Sequence, residues 1–411
     1  MGAFHEPVDR SMKLPTPATN PFTVNSRSYS PQPRPIVVIC LDGSADEYLD
    51  AALARDRMPN LQRMAVQGYR GFARGAMPSF TNVNNASIVT GVPPSVHGIG
   101  GNFFYDTETS QEVMMNSAKF LRAETIFPAA AQAGRKVAVI TAKEKLRDIF
   151  ASGLLSEGGI AFSSEKANQT RKQTHGLDDV EEVVGRPTPP IYSAEASLYV
   201  LWSGVALLAQ GLADFLYLST TDYIQHKYAP DAPESLDFYA GIDRQLGKLI
   251  ELGAVIGLTA DHGMNAKQKT DGSPNVLYLE SMLTEKFGPC FRVILPITDP
   301  YVAHHGALGS FAVLHLPPDR ASLITNHLLD EVKMWLLDFP GVTEVHERET
   351  AARKLETGEP DQGAEGQDGS LLIHIERAST NSTQPHQVED PRSNRETEHD
   401  EGRRAQHGQR G

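Results

Sequence analysis

Cysteine is scarce: Cys40 and Cys290 are the two thiols in 411 residues. So few exclude a disulfide scaffold and a cysteine-rich zinc module. Cys40 closes the run Ile36-Val37-Val38-Ile39, the habit of a buried free thiol. Positive charge is also short, since 38 Lys and Arg against 51 Asp and Glu leave a formal net charge of −13. Nucleic acids and anionic membranes need a basic face, so neither is expected as a partner. Long apolar runs are missing too. The longest, Leu198 to Leu218, is broken by Ser203, Gly204, Gln210, Gly211 and Asp214. It reads as the end of a helix, Ser193 to Gln210, feeding a short buried strand at Phe215–Leu218, and not as a membrane span. Met1 to Arg34 has no continuous apolar core of a signal peptide. Rich in Pro, Ser and Thr, residues 1–34 read as a flexible leader, and the protein as soluble and cytoplasmic.

From Pro35 onward, short apolar runs alternate with helical patterns. Strands are expected at Ile36–Leu41, Lys136–Thr141, Phe215–Ser219 and Ala254–Thr259, with helices at Met58–Gln67 and Phe127–Ala133 between them. Continuous apolar strands separated by helices imply an α/β domain whose mainly parallel sheet is covered by helices on both faces. Gly101–Asp106 and Ile297–Gly309 read as loops or a small inserted cap segment. In such sheets chemistry gathers at the carboxyl ends of the strands. There the sequence places Asp42-Gly43, Lys143-Glu144-Lys145, Thr220-Thr221-Asp222 and Asp261-His262-Gly263.

Taken singly, each is ordinary. An Asp-Gly after a strand is usually a turn, and Lys143-x-Lys145 at a helix start is usually a solvated charge pair. Their joint occurrence at one end of one sheet points to a metal centre. Asp222-x-x-x-His226 converges on one face if a helix begins there. Mixed Asp and His donors suit zinc or another first-row divalent ion, and carboxylates allow a two-metal site. Thr81, before the run Asn82 to Thr90, reads either as a helix N-cap or as a nucleophile held beside a metal. Ser79, Ser87 and Thr90 rival it on composition alone.

The order Asp42, Thr81, Asp222-x-x-x-His226, Asp261-His262-Gly263-Met264 resembles the alkaline phosphatase superfamily. The longer strings Pro78-Ser79-Phe80-Thr81-Asn82, Pro93-Pro94-Ser95-Val96-His97-Gly98-Ile99, Gly101-Asn102-Phe103-Phe104-Tyr105-Asp106, Thr141-Ala142-Lys143-Glu144-Lys145-Leu146 and Thr220-Thr221-Asp222-Tyr223-Ile224-Gln225-His226-Lys227 resemble the phosphonoacetate hydrolase family, over about Pro35 to Leu355. The resemblance implies an alkaline phosphatase-like fold, two zinc ions and a threonine nucleophile, matched here by Thr81. It implies that Asp42, Asp261, His262 and the Thr81 oxygen serve one metal, and Asp222 and His226 the other. Asn102, Lys143 and Lys145 match substrate-contacting residues. The implied reaction converts phosphonoacetate, a small anionic phosphonate, into acetate and phosphate through a phospho-threonine. A phosphate mono- or diesterase of the same superfamily is the alternative. His97, His304 and His305 are left as structural.

The resemblance stops near Glu356. The family continues with buried strands and a Ser-His-Gly-Gly whose histidine is the third protein ligand of the second metal. Here residues 357–411 hold 8 hydrophobic residues, no aromatic, 11 acidic and 6 basic side chains. None of His374, His386, His399 and His407 has that context. Apart from the brief Leu371-Leu372-Ile373-His374-Ile375, the segment reads as a disordered polar tail. A catalytic domain at 35–356, a changed reading frame near Glu356 and a catalytically impaired relative are the corresponding expectations.

Overall fold

In the computed structural model, residues 15–106, 108–298, 309–316, 326–354 and 371–375 are described. Ahead of the sheet, strands β1 (Phe22–Val24) and β2 (Arg27–Tyr29) pair antiparallel as a hairpin. Its turn residues Asn25 and Ser26 both have positive φ, 48° and 62°, the backbone that a two-residue hairpin requires. Asn25 Nδ2 donates to the carbonyls of Thr90 and Glu124, each at 2.8 Å, and Val24 is buried. This part of the segment expected as a flexible leader is thus fastened to the domain. Residues 1–14 lie outside the described residues.

Strand β3 (Ile36–Cys40) begins the main sheet. A second hairpin follows, β4 (Phe103–Asp106) with β5 (Gln111–Met114), where a loop or inserted segment was expected. Strands β6 (Val137–Thr141), β7 (Ile160–Ser163), β8 (Phe215–Ser219) and β9 (Val255–Thr259) complete a five-stranded sheet in the order β7-β6-β8-β3-β9. Every pairing in it is parallel, as the apolar runs predict. Strand β7 had no counterpart among the strands read from the sequence.

Alternation along the strands builds two cores. Val37, Ile39, Ala138, Ile140, Leu216 and Leu218 face one, with helices Ala194–Ala209 and Pro233–Glu251 packed over them. Cys40, Val137, Val139, Ala161 and Tyr217 face the other, with Phe127, Leu146 and Phe150. Edge strand β9 is less covered, and Val255 is 40% exposed. The apolar stretch Leu198 to Leu218 divides as expected. The helix is capped by Ser193 Oγ, which accepts the Ala196 amide at 3.2 Å, and β8 follows the left-handed Gly211. No helix of the described residues is long and apolar enough to cross a membrane.

A second, antiparallel sheet holds β10 (Arg292–Ile294), β11 (Phe311–His315), β12 (Val342–Glu347) and β13 (Leu371–Ile375), in the order β10-β11-β13-β12. Strand β13 comes from the segment read as a disordered tail and pairs on both edges, Leu371 opposite Leu314 and Glu347. Isoleucine favours a strand, and two partners satisfy the β13 backbone on both sides. The rest of 357–411 lies outside the described residues.

Candidate active site

Strand register delivers the site. Cys40 aligns with Ser219 on one side and Thr259 on the other, and Thr141 aligns with Ser219. The strands therefore end level, and Asp42, Lys143, Asp222 and Asp261 leave the sheet together. Asp42, Asp222 and Asp261 are buried, at 0%, 5% and 2% exposure. Gly43 makes the closest approach possible: its φ is +68°, and a Cβ there would lie 2.9 Å from Asp222 Cβ.

Three donor atoms converge. Thr81 Oγ1 donates to Asp42 Oδ1 at 3.3 Å, and His262 Nε2 lies 3.2 Å from Thr81 Oγ1 and 3.1 Å from Asp42 Oδ1. Thr81 is not an N-cap. Phe80 holds that position, and helix Thr81–Thr90 begins with no side-chain cap, so the threonine hydroxyl serves the cluster. A helix start also favours an anion there. His262 Nδ1 lies 2.9 Å from the Gly263 carbonyl oxygen. A carbonyl only accepts, so Nδ1 carries a proton there, and Nε2 is the nitrogen presented to Thr81 and Asp42. With no metal bound it too is protonated, donating toward Asp42, and it can take a cation once that proton leaves.

Asp222 stands beside this triangle. One donor atom each of Asp42, Asp222 and His262 lie within 4.8 Å of one another, a possible metal-binding triad. His226 follows Asp222 on helix Tyr223–Lys227 and its Nε2 meets Asp222 Oδ2 at 2.9 Å, as the four-residue spacing predicts. That helix is pinned to the loop after Asp42. Gln225 Nε2 donates to Ser44 Oγ at 3.1 Å and Tyr239 OH at 2.9 Å, while Tyr48 OH donates to the Tyr228 carbonyl at 2.9 Å. Lys143 Nζ lies 3.6 Å from Asp222 Oδ1. Lys145, half-buried, lies in the first turn of helix Glu144–Phe150.

The predicted residues thus form two contacting groups, Asp42, Thr81, His262 and Asp261 in one and Asp222, His226 and Lys143 in the other, brought side by side with donor atoms of Asp42, Asp222 and His262 within 4.8 Å. Asn102 stands apart, its backbone fixed by Pro296 O and Met115 N at 2.8 Å each and its Oδ1 buried without a hydrogen-bond partner among the described residues. His97 is structural as expected: Ser87 Oγ and the Ile99 amide hold its ring, and burial pushes it down to about 4. His304 and His305 lie outside the described residues. Asn85, Tyr217, Ser44 and Gln225, which brace these groups, were not singled out from the sequence, because a polar residue inside a strand or helix carries no local mark of what it will face.

Electrostatics show what the site demands. Burial, then Asp42, pushes Asp261 up to about 8. Against its own burial, His262 is raised to about 10 by Asp261 and Asp42. Burial would raise Asp222 too, but Lys143 and His226 hold it well below the carboxylate range. Three buried carboxylates thus draw protons onto the cluster, a demand for positive charge that a divalent cation meets. The donor set fits one. Thr81, Asp42 and His262 atoms sit 3.1–3.3 Å apart, and tetrahedral ligands at about 2.0 Å bonds lie about 3.3 Å from one another. Asp42 Oδ2 is buried with no hydrogen-bond partner among the described residues, leaving it open to an ion.

The family model for type I phosphodiesterase / nucleotide pyrophosphatase matches residues 36–333, most of the chain. The chain belongs to that family. The crystal structure of phosphonoacetate hydrolase from Sinorhizobium meliloti 1021 in complex with phosphonoacetate is 46% identical, with a TM-score of 0.79, covering 90% of this chain and 87% of that one. The same enzyme with phosphonoformate matches equally. These bear out the alkaline phosphatase-like fold and the resemblance, and they make the chain a hydrolase. Among curated relatives, venom phosphodiesterase of Naja atra is 25% identical over 246 residues, 56% of this chain. The chain spans about a quarter of the length of the venom phosphodiesterases that it matches.

Proposed function

We propose that this chain hydrolyses the carbon–phosphorus bond of phosphonoacetate to acetate and phosphate, with Thr81 as nucleophile. The observation that carries the reading is the Thr81–Asp42–His262 triangle, in a chain 46% identical to an enzyme solved with phosphonoacetate. Asp42, Asp261, His262 and Thr81 would hold one zinc ion, and Asp222 and His226 would hold a second. When bound, the ions supply Lewis-acid charge to the phosphonate oxygens and favour the ionised Thr81 hydroxyl.

Thr81 Oγ1 gives up its proton and forms a bond to phosphorus as the carbon–phosphorus bond breaks. The electron pair leaves on carbon, where the neighbouring carboxylate spreads it as an enolate. Lys143 and Lys145 stabilise that charge, Asn102 orients the substrate, and a proton taken up by the carbon completes acetate. Water then attacks the phospho-threonine, releasing phosphate and restoring Thr81. Two unpaired cysteines suit a reducing cytoplasm as the place of action.

A second reading, phosphodiester hydrolysis, is favoured by the family model and the venom relatives. An assay of acetate and phosphate release from phosphonoacetate, run beside a nitrophenyl phosphodiester, separates the two. The leading reading requires acetate and phosphate in equal amounts. Ester turnover without acetate rejects it, and no turnover of either with only one bound zinc marks an impaired relative.

A further inference from the structure

Behind the triangle lies an amide that the catalytic reading leaves out. Asn85 is fully buried, one turn after Thr81 on the same helix. Its Nδ2 donates to the Thr81 carbonyl at 3.0 Å and to Asp261 Oδ2 at 2.7 Å. A peptide carbonyl only accepts, so this edge of the amide is the NH2 group and its orientation is fixed. The opposite edge, Oδ1, accepts from Tyr217 OH at 2.6 Å and from Ser219 Oγ at 3.2 Å. Both lie on β8, and the Tyr217 ring packs against Phe127 and Phe150. The two donors and the two lone pairs of the amide are all in use.

The consequence falls on Asp261. Its Oδ1 accepts the amides of Gly43 at 3.1 Å and His262 at 3.0 Å, and its Oδ2 accepts Asn85. A carboxylate offers about four acceptor positions. Among the described residues three are occupied, and the one that remains is on Oδ2.

We infer that Asn85, braced by Tyr217 and Ser219, is a positioning residue that turns Asp261 so that one lone pair of Oδ2 is left for a divalent cation. The same amide ties that carboxylate to the first turn of the Thr81 helix, so metal ligand and nucleophile are set by one group. The inference rests on the metal-dependent reading above. Asn85 does not touch the substrate; it acts through Asp261.

The test is the zinc affinity of the full-length chain, measured on metal-stripped protein by titration against a chromophoric chelator and resolved into separate sites. Asn85→Leu removes the donor and keeps the volume. It is expected to weaken one site by about 10- to 100-fold, the usual effect of losing a partner of a metal ligand. Tyr217→Phe keeps the ring contacts and removes only the hydroxyl that aligns the amide. It is expected to weaken the same site by a smaller factor with unchanged circular dichroism, and it carries the test if Asn85→Leu does not fold. Equal weakening of both sites together with lost helical signal would mean a merely structural role and overturn the inference. Wild-type zinc binding with unchanged constants in both variants overturns it alone. A wild-type chain that binds no zinc overturns the metal-dependent reading and this inference with it.

Discussion

Gly43→Ala is the sharpest single perturbation of the site. Glycine at this position has φ +68°, and a Cβ would stand 2.9 Å from Asp222 Cβ and 3.2 Å from Met264 Cε. Left-handed backbone costs a non-glycine residue about 1–2 kcal/mol. Carbon atoms rest about 3.5–4.0 Å apart, so Asp222 must retreat by about 0.6–1 Å, and overpacking of this kind costs about 1–3 kcal/mol. The sum is about 2–5 kcal/mol of unfolding free energy. Function suffers in parallel, because a displacement near 1 Å at a reacting centre costs about 100-fold in rate. Gly257→Ala is the control. Its Cβ would meet Val38 Cγ2 at 3.8 Å, an ordinary contact, without positive φ. The assay is urea unfolding together with kcat/KM for phosphonoacetate. Gly43→Ala should unfold at clearly lower urea and lose about two orders of magnitude in kcat/KM, while Gly257→Ala matches wild type. A Gly43→Ala enzyme within threefold of wild type and equally stable would refute the close approach of the Asp42 loop and Asp222 as the reason for glycine.

Thr81→Ala should abolish acetate release while leaving circular dichroism unchanged, because the hydroxyl caps no helix; Thr81→Ser should retain measurable turnover, and a fully active alanine variant would remove Thr81 as nucleophile. The metal-free chain should lose stability as pH rises. His262, raised to about 10 from 6.5, and Asp261, raised to about 8 from 3.8, both bind protons more tightly when folded. The Asp261 contribution is fully present below pH 3.8 and is lost as pH rises to about 8, and the His262 contribution is fully present below pH 6.5 and is lost as pH rises to about 10. Thermal unfolding in chelator should therefore move to lower temperature between pH 5 and 9; an upward shift contradicts this. Zinc competes with those protons, so its apparent affinity should rise over the same range by titration. A chain stopped at Ser370 removes the partner that β13 gives to both β11 and β12. It should expose two strand edges and aggregate in light scattering, where a chain stopped at Glu376 does not.

The apolar runs were enough to read the parallel sheet, because a strand buried on both faces must be continuously apolar. Its four anticipated strands stand within a residue of their expected ends. Polar residues directly after those strands pointed to the site for the same local reason. The sequence marked Leu371–Ile375 as a brief apolar run but had no means of showing its pairing, since five residues in a polar segment become a strand only when partners accept them. Nor could it separate Thr81 as a helix cap from Thr81 as a member of the buried Asp-His cluster. That depended on Phe80 taking the cap position and on His262, 181 residues away, arriving at 3.2 Å. Asn85 is the plainest case. Nothing in Asn84-Asn85-Ala86 marks which asparagine will brace a carboxylate, and the level register of β3, β8 and β9 decides it. Composition and period determined the kind of sheet and the residue types at its end. The tertiary structure decided which of those groups meet, because register between strands some 180 residues apart is set by packing and not by local pattern.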